Sequence, residues 1–169
     1  MSQTTRDGAG SRRPRFTRAE AFAFSVPSCL AVFVLAPAAI ARRGRKVGWR
    51  AGRPALPNTL GLLPLALGAT GLAWCLAAHY SPGETVPPSL VPEQLIGAGP
   101  YRFSRNPMYV SEQAMLVGWT IYFGSPGVLG CGAALAAAMR YAVGREEKTL
   151  RGRFGESWED YAAKVPRWL

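Results

Sequence analysis

Two polar stretches hold most of the residue types able to do chemistry. The first is Gly97-Ala98-Gly99-Pro100-Tyr101-Arg102-Phe103-Ser104-Arg105-Asn106-Pro107-Met108-Tyr109. The second runs from Arg145-Glu146-Glu147-Lys148 through Phe154-Gly155 and Tyr161 to Val165-Pro166-Arg167-Trp168. Carboxylates accept protons or hold cations, and arginines hold anions through a fixed fork of donors. Each feature also has a plain structural reading. Gly97 and Gly99 suit turns, and a lone GxG says little about a cofactor. Asn106 before Pro107 reads as a helix start, with Asn at the N-cap and Pro at the first helical position. Arg102 and Arg105 suit anchors on lipid phosphate. Glu146 and Glu147, among Arg145, Lys148, Arg151 and Arg153, suit a solvated salt-bridged face. Ser157 with Asp160 three residues on resembles a capping box for a short final helix. Trp158, Tyr161, Val165 and Trp168 then lie at a membrane interface.

Glu112 stands apart, as the only charged residue between positions 106 and 139. An ionisable side chain inside a membrane span usually faces protein or a water cavity, which makes Glu112 a functional candidate. Tyr109 shares its helical face at i−3. The alternative is that Glu112 still lies at headgroup depth. Arg140 suits a snorkelling side chain near a helix end.

These residues need elements to position them, and the composition says which. The chain has 169 residues, about one domain by length. Hydrophobic residues make up 49 % and charged residues 18 %, below the roughly 25 % of soluble domains. The net charge is +10, but the cations flank long apolar runs instead of mixing with them. That pattern argues against a basic nucleic-acid binder and for a small membrane protein. Spanning takes about 20 apolar residues, and a helix satisfies its own backbone in hydrocarbon. The sequence therefore predicts an all-α membrane protein with four spans, at about 21–41, 59–78, 108–123 and 126–143. Gly124-Ser125-Pro126-Gly127 reads as a tight turn between the last two. Pro27, Pro37 and Pro64 are expected to kink their helices. Residues 1–19 read as a disordered basic tail, and 20–169 as a single membrane domain. A rival reading takes the first run as a cleaved signal, with Arg12-Arg13 loosely like a twin-arginine motif. Its 21 uncharged residues exceed the usual 7–15 of such a region.

Four spans place fourteen of the 20 basic residues on one face and the six of Arg42–Arg53 on the other. The positive-inside rule then puts both termini in the cytoplasm of a cell with the chain in its inner membrane. The six cations of the first loop run against that rule. Cys29, Cys75 and Cys131 are scattered, and His79 is the only histidine, so neither a disulfide framework nor a metal set is expected. In this topology residues 97–109 and 145–168 face the same compartment at one end of the last hairpin.

Taken in order, GxGPYRxxRNPMY, a helical hairpin, REExxL, FGxxWxxY and VPRW resemble the isoprenylcysteine carboxyl methyltransferase and phospholipid methyltransferase family of integral membrane enzymes. The resemblance covers about residues 95–169 and extends faintly through Pro87-Pro88. It implies S-adenosylmethionine as methyl donor. The positions carried over are Gly97, Ala98, Gly99, Pro100, Tyr101, Asn106, Pro107, Met108, Tyr109, Glu146 and Glu147. Glycines would let backbone approach the donor closely. The helix start at Pro107 would suit its carboxylate. Tyr101 and Tyr109 would stack on adenine or line the sulfonium pocket. Glu146 or Glu147 would hold its ammonium or ribose hydroxyls. Many relatives carry His where this chain has Asn106, and Asn cannot titrate near neutral pH. Beyond that, transfer needs mainly alignment and a dry site. A carboxylate acceptor would call for Arg105, Arg140 or Arg167, and an amine headgroup for Glu112 as base. The resemblance thus implies a membrane methyltransferase for a lipid-like or prenylated acceptor that enters sideways between helices. The alternatives are a non-enzymatic scaffold or degenerate relative, a membrane reductase of the sterol-reductase type using NADPH, and a basic surface adaptor working through Arg42–Arg53.

Overall fold

A computed structural model describes residues 27–79 and 95–169. A π-helical stretch Ala31–Leu35 leads into α1 (Ala36–Arg43). A short hairpin, β1 (Trp49–Arg50) and β2 (Arg53–Pro54), follows. Then come α2 (Leu56–Thr59), α3 (Leu62–His79), a 3-10 turn Gly99–Arg102, α4 (Pro107–Phe123), α5 (Pro126–Phe154) and α6 (Glu156–Lys164). The helical expectation holds, with the hairpin as an addition. Its strands are antiparallel, pairing Trp49 with Pro54 and Arg50 with Arg53. Ala51 and Gly52 both take positive φ, 47° and 76°, which is the tight turn that matches strand twist.

Two helical stretches, Leu56–Ala78 and Pro126–Phe154, are long and apolar enough to cross a membrane. Only 22 % and 17 % of their most apolar windows are buried inside the protein. The core helix of a soluble protein would be mostly covered, whereas these leave Leu62, Leu63, Leu67 and Leu129 outside. The helix α4 has 17 residues, about 26 Å at 1.5 Å each. The first expected span lies partly, and the 1–19 tail and Pro87-Pro88 wholly, outside the described residues.

The helices α3 and α4 approach closely through small residues. A Cβ on Gly61 would sit 2.5 Å from the Gly118 carbonyl, and one on Gly118 would sit 2.7 Å from the Gly61 carbonyl. At Gly68 it would meet the Ser111 carbonyl at 2.5 Å. Backbones that close gain dispersion along their whole length, which lipid cannot oppose by burying apolar surface. The core beside this seam is Phe33, Leu72, Met115, Leu116 and Met139.

Pro37 and Pro64 each fall in the first turn of a helix. Pro37 is buried at the start of α1, just after the π-helical stretch. Proline has no N–H, so Pro37 cannot serve the Phe33 carbonyl one turn back. Trp119 does so instead, its indole N–H donating to Phe33 O at 2.7 Å. Pro64 lies in the first turn of α3, where backbone N–H groups lack helical partners anyway, and costs little there. The expected turn forms: Gly124 is left-handed at φ 56°, and Ser125 caps α5 by accepting from Val128 N at 3.3 Å.

Candidate functional site

The helices α3, α4 and α5 bring the two polar stretches together at one end. Tyr109 lies in the first turn of α4 and Glu146 well along α5, past the apolar part. The Tyr109 hydroxyl donates to Glu146 Oε2 at 3.3 Å. Tyr101, in the 3-10 turn, is in electrostatic reach of Glu146, Tyr109, Tyr161 and Cys75. Burial, with those negative neighbours adding to it, pushes the Tyr101 hydroxyl well above its ordinary range. Glu112 is buried one turn inward on α4, in electrostatic reach of Tyr109, Cys75 and Cys29. Carboxylates, phenols and thiols thus converge on the inner side of the site.

Neighbouring Glu147 is turned to a different task. Arg105 Nη1 lies 3.4 Å from Glu147 Oε1. Arg167 grips the same carboxylate twice, its Nε donating to Oε1 at 3.2 Å and its Nη2 to Oε2 at 2.5 Å. The Glu147 side chain is only 12 % exposed. Its hydrogen bonds and negative charge raise the pKa of Arg167 further. Arg105 and Arg167, two of the three arginines expected to hold an acceptor carboxylate, therefore already hold one supplied by the chain.

The C-terminal tail is sewn to the first stretch by backbone. Arg105 N donates to Pro166 O at 2.9 Å, Ser104 Oγ to Arg167 O at 3.2 Å, and Asn106 Nδ2 to Arg167 O at 3.0 Å. Asn106 is the N-cap of α4 with Pro107 after it, but its side chain faces the tail and caps nothing. The expected helix start is there, but the side-chain cap bond is not, and the amide Nδ2 instead donates to Arg167 O. The Ser157 box also does not form, since α6 starts at Glu156 with Gly155 as its cap. Tyr161 donates to Tyr101 O at 2.7 Å, and burial pushes its hydroxyl up to about 12, with Arg105 opposing. The Arg105 guanidinium lies 5.7 Å from the Trp158 ring centre, while its buried Nε has no partner among the described residues.

Gly99 is left-handed at φ 60°, where a side chain is strained, and a Cβ would meet Trp74 at 3.5 Å. At Gly97 a Cβ would make only ordinary contact with the Tyr161 ring, at 3.7 Å. Ala98 precedes the turn and accepts from Tyr101 N at 3.2 Å, and Pro100 is buried at its start. Met108 packs on the core. Arg140 is exposed and lies outside this cluster. Sequence reasoning gave no role to Ser104, Trp74 or Cys75. Only chain packing brings Cys75 beside Glu112, whereas Tyr161 stood in a motif and could have been flagged. Among the described residues no group of three or more His, Cys, Asp or Glu converges as metal ligands.

The profile of the phospholipid methyltransferase family matches residues 58–157, more than half of the chain. The chain belongs to the phospholipid methyltransferase family. That match spans α3, α4 and α5, the helices that build the site. A nickel-cobalt-cadmium resistance protein, NccN, of Alcaligenes xylosoxydans xylosoxydans is 33 % identical over 112 residues. Those residues are 66 % of this chain and 48 % of NccN, so the chain spans about half of that relative. An uncharacterized protein of Haemophilus influenzae is 35 % identical over 63 residues, 37 % of this chain and 100 % of that one. No solved structure matches the chain. Family membership and the two apolar helices identify a membrane protein of a methyltransferase family.

Proposed function

We propose that this protein is a four-pass, S-adenosylmethionine-dependent methyltransferase that methylates the amine headgroup of a lipid-like acceptor. The carrying observation is the Tyr109–Glu146 hydrogen bond, which joins the two motif-bearing stretches in one site. The residues fit the donor. Arg105 Nε is a buried donor without a partner among the described residues, and the first-turn N–H groups of α4 have no side-chain cap. Together they suit one carboxylate. Glu146, with Tyr109 beside it, suits an ammonium or ribose hydroxyls. Tyr101 and Tyr109 offer rings to adenine or a sulfonium. Bound there, the donor supplies an already activated methyl on a positively charged sulfur.

The choice of amine over carboxylate follows from charge. Arg105 and Arg167 are engaged by Glu147, and the buried Nε of Arg105 would serve the methyl donor's own carboxylate. An acceptor carboxylate would have to compete with Glu147 for both arginines. Glu112 instead favours a protonated amine. Glu112 accepts the proton that the ammonium must lose before its lone pair can attack, and the fixed neighbours hold the acceptor in line. The termini lie on the site's side, in the cytoplasm, with α4 as a short third span.

The test is transfer of radiolabelled methyl from S-adenosylmethionine into a membrane lipid extract. Label that survives mild alkali, as an N-methyl does and a methyl ester does not, is expected. Stabilisation by S-adenosylhomocysteine should accompany it. Stabilisation by NADPH instead would point to a reductase, and neither ligand binding would leave a scaffold; either result overturns the proposal.

A further inference from the structure

The end of the molecule opposite the site carries a second feature that methyl transfer does not use. Arg42, Arg43, Arg45, Lys46, Arg50 and Arg53 all lie there. Among the described residues no Asp or Glu accompanies them. The described acids are Glu112, Glu146, Glu147, Glu156, Glu159 and Asp160, all toward the other end or on the tail.

These cations sit on a built platform. Asn58 Nδ2 reaches Ile121 O at 2.9 Å, Val47 O at 3.1 Å and Tyr122 O at 3.3 Å. The Trp49 indole donates to Tyr122 O at 3.0 Å, and Val47 N donates to Gly124 O at 2.9 Å. Lys46 Nζ rests 4.4 Å above the Trp49 ring, itself stacked with Phe123. Holding six like charges this close costs self-repulsion unless a counter-charge is supplied from outside.

We propose that this hairpin end is a docking surface for anionic phospholipid headgroups in the leaflet opposite the site. Two features select a lipid surface over a soluble anion. Trp49, Trp119, Tyr122 and Phe123 form an aromatic layer at this end, the arrangement that sits at headgroup level. Large apolar side chains, Val47 at 62 % and Leu56 at 82 % exposure, stand uncovered among the cations. Basic side chains beside apolar ones match phosphates above acyl chains. Charge held at headgroup level would act on those headgroups over about a Debye length, and salt would weaken it.

The experiment measures the Tm of the full-length protein in neutral detergent with added phosphatidylglycerol, phosphatidylcholine or inorganic phosphate at equal ionic strength. Phosphatidylglycerol should raise Tm at low salt, and phosphatidylcholine and phosphate should not. The Arg45→Gln/Lys46→Gln/Arg50→Gln/Arg53→Gln protein should lose the shift. Because Lys46 packs on Trp49, the Arg50→Gln/Arg53→Gln protein is measured too and should show a reduced shift. A Lys148→Gln/Arg153→Gln control, altered at the other end, should keep the full shift. The proposal is overturned if phosphate reproduces the shift, if the hairpin variants keep it, or if the control loses as much as they do. None of these readouts uses methyl transfer, so the outcome is independent of the enzymatic reading.

Discussion

Glu146 and Glu147 are neighbours in sequence, and the turn of α5 sends them to different partners. Glu146 meets Tyr109, while Glu147 pairs with both Arg105 and Arg167. Their substitutions should therefore separate. Glu146→Gln should weaken S-adenosylhomocysteine binding at least about tenfold while leaving the melting curve in place, because it removes one charge-assisted contact and leaves no cation unpaired. Glu147→Ala leaves two arginines without their carboxylate, and should lower stability by about 2 kcal/mol. Calorimetric titration and thermal melts distinguish the two, and equal loss of stability from both would refute the division. Tyr161 sets an alkaline limit. Its phenol ionises near 10 when unfolded and about 12 when folded. Between those values the unfolded state holds fewer protons, so stability falls as pH rises through that window. The phenolate also cannot donate to Tyr101 O. Tyr161→Phe should lessen this alkaline loss without abolishing it, because the more deeply buried Tyr101 phenol is raised as well, and proteolysis of the tail against pH reads the difference.

The seam between α3 and α4 decides whether the site exists, because Tyr109 and Glu112 are aimed by α4 and Gly99 packs on Trp74 of α3. Small residues at positions 61, 68 and 118 set the approach. Gly68→Val drives a side chain into the Ser111 carbonyl and should cost about 2 kcal/mol or more, visible as a lower Tm in detergent. Gly130 is the contrast, in α5, where an added Cβ would meet nothing within 4 Å. Gly130→Ala should raise Tm slightly, gaining up to about 1 kcal/mol of helix propensity. The 29 residues of α5 measure about 44 Å, longer than the ~30 Å of hydrocarbon. The excess carries Glu146 and Glu147 past the apolar part to meet the stretch before α4.

For the whole molecule, the two ends differ in charge. One end pairs acids with bases around the site, and the other is purely basic among the described residues. Membrane-impermeant maleimide should label Arg102→Cys and Lys148→Cys from the same side, and Arg53→Cys from the opposite side, in a background without Cys29, Cys75 and Cys131. Labelling of Arg102→Cys and Lys148→Cys from different sides would contradict both the fold and the proposed chemistry.

The apolar runs, the turn at 124–127 and the stretches bearing polar residues were legible from the chain, because hydrocarbon demands long uncharged helices and tolerates glycine and proline at their joints. The motif order also pointed to the family. The partition of Glu146 from Glu147, the diversion of the Asn106 amide to Arg167 O, and the meeting of Cys75 with Glu112 were not legible. Local pattern fixes which face of a helix a residue occupies, but partners 20 or more positions away are chosen by how helices cross. The Pro37 gap shows the same limit. Sequence states that a donor is missing, and only packing supplies Trp119 to fill it.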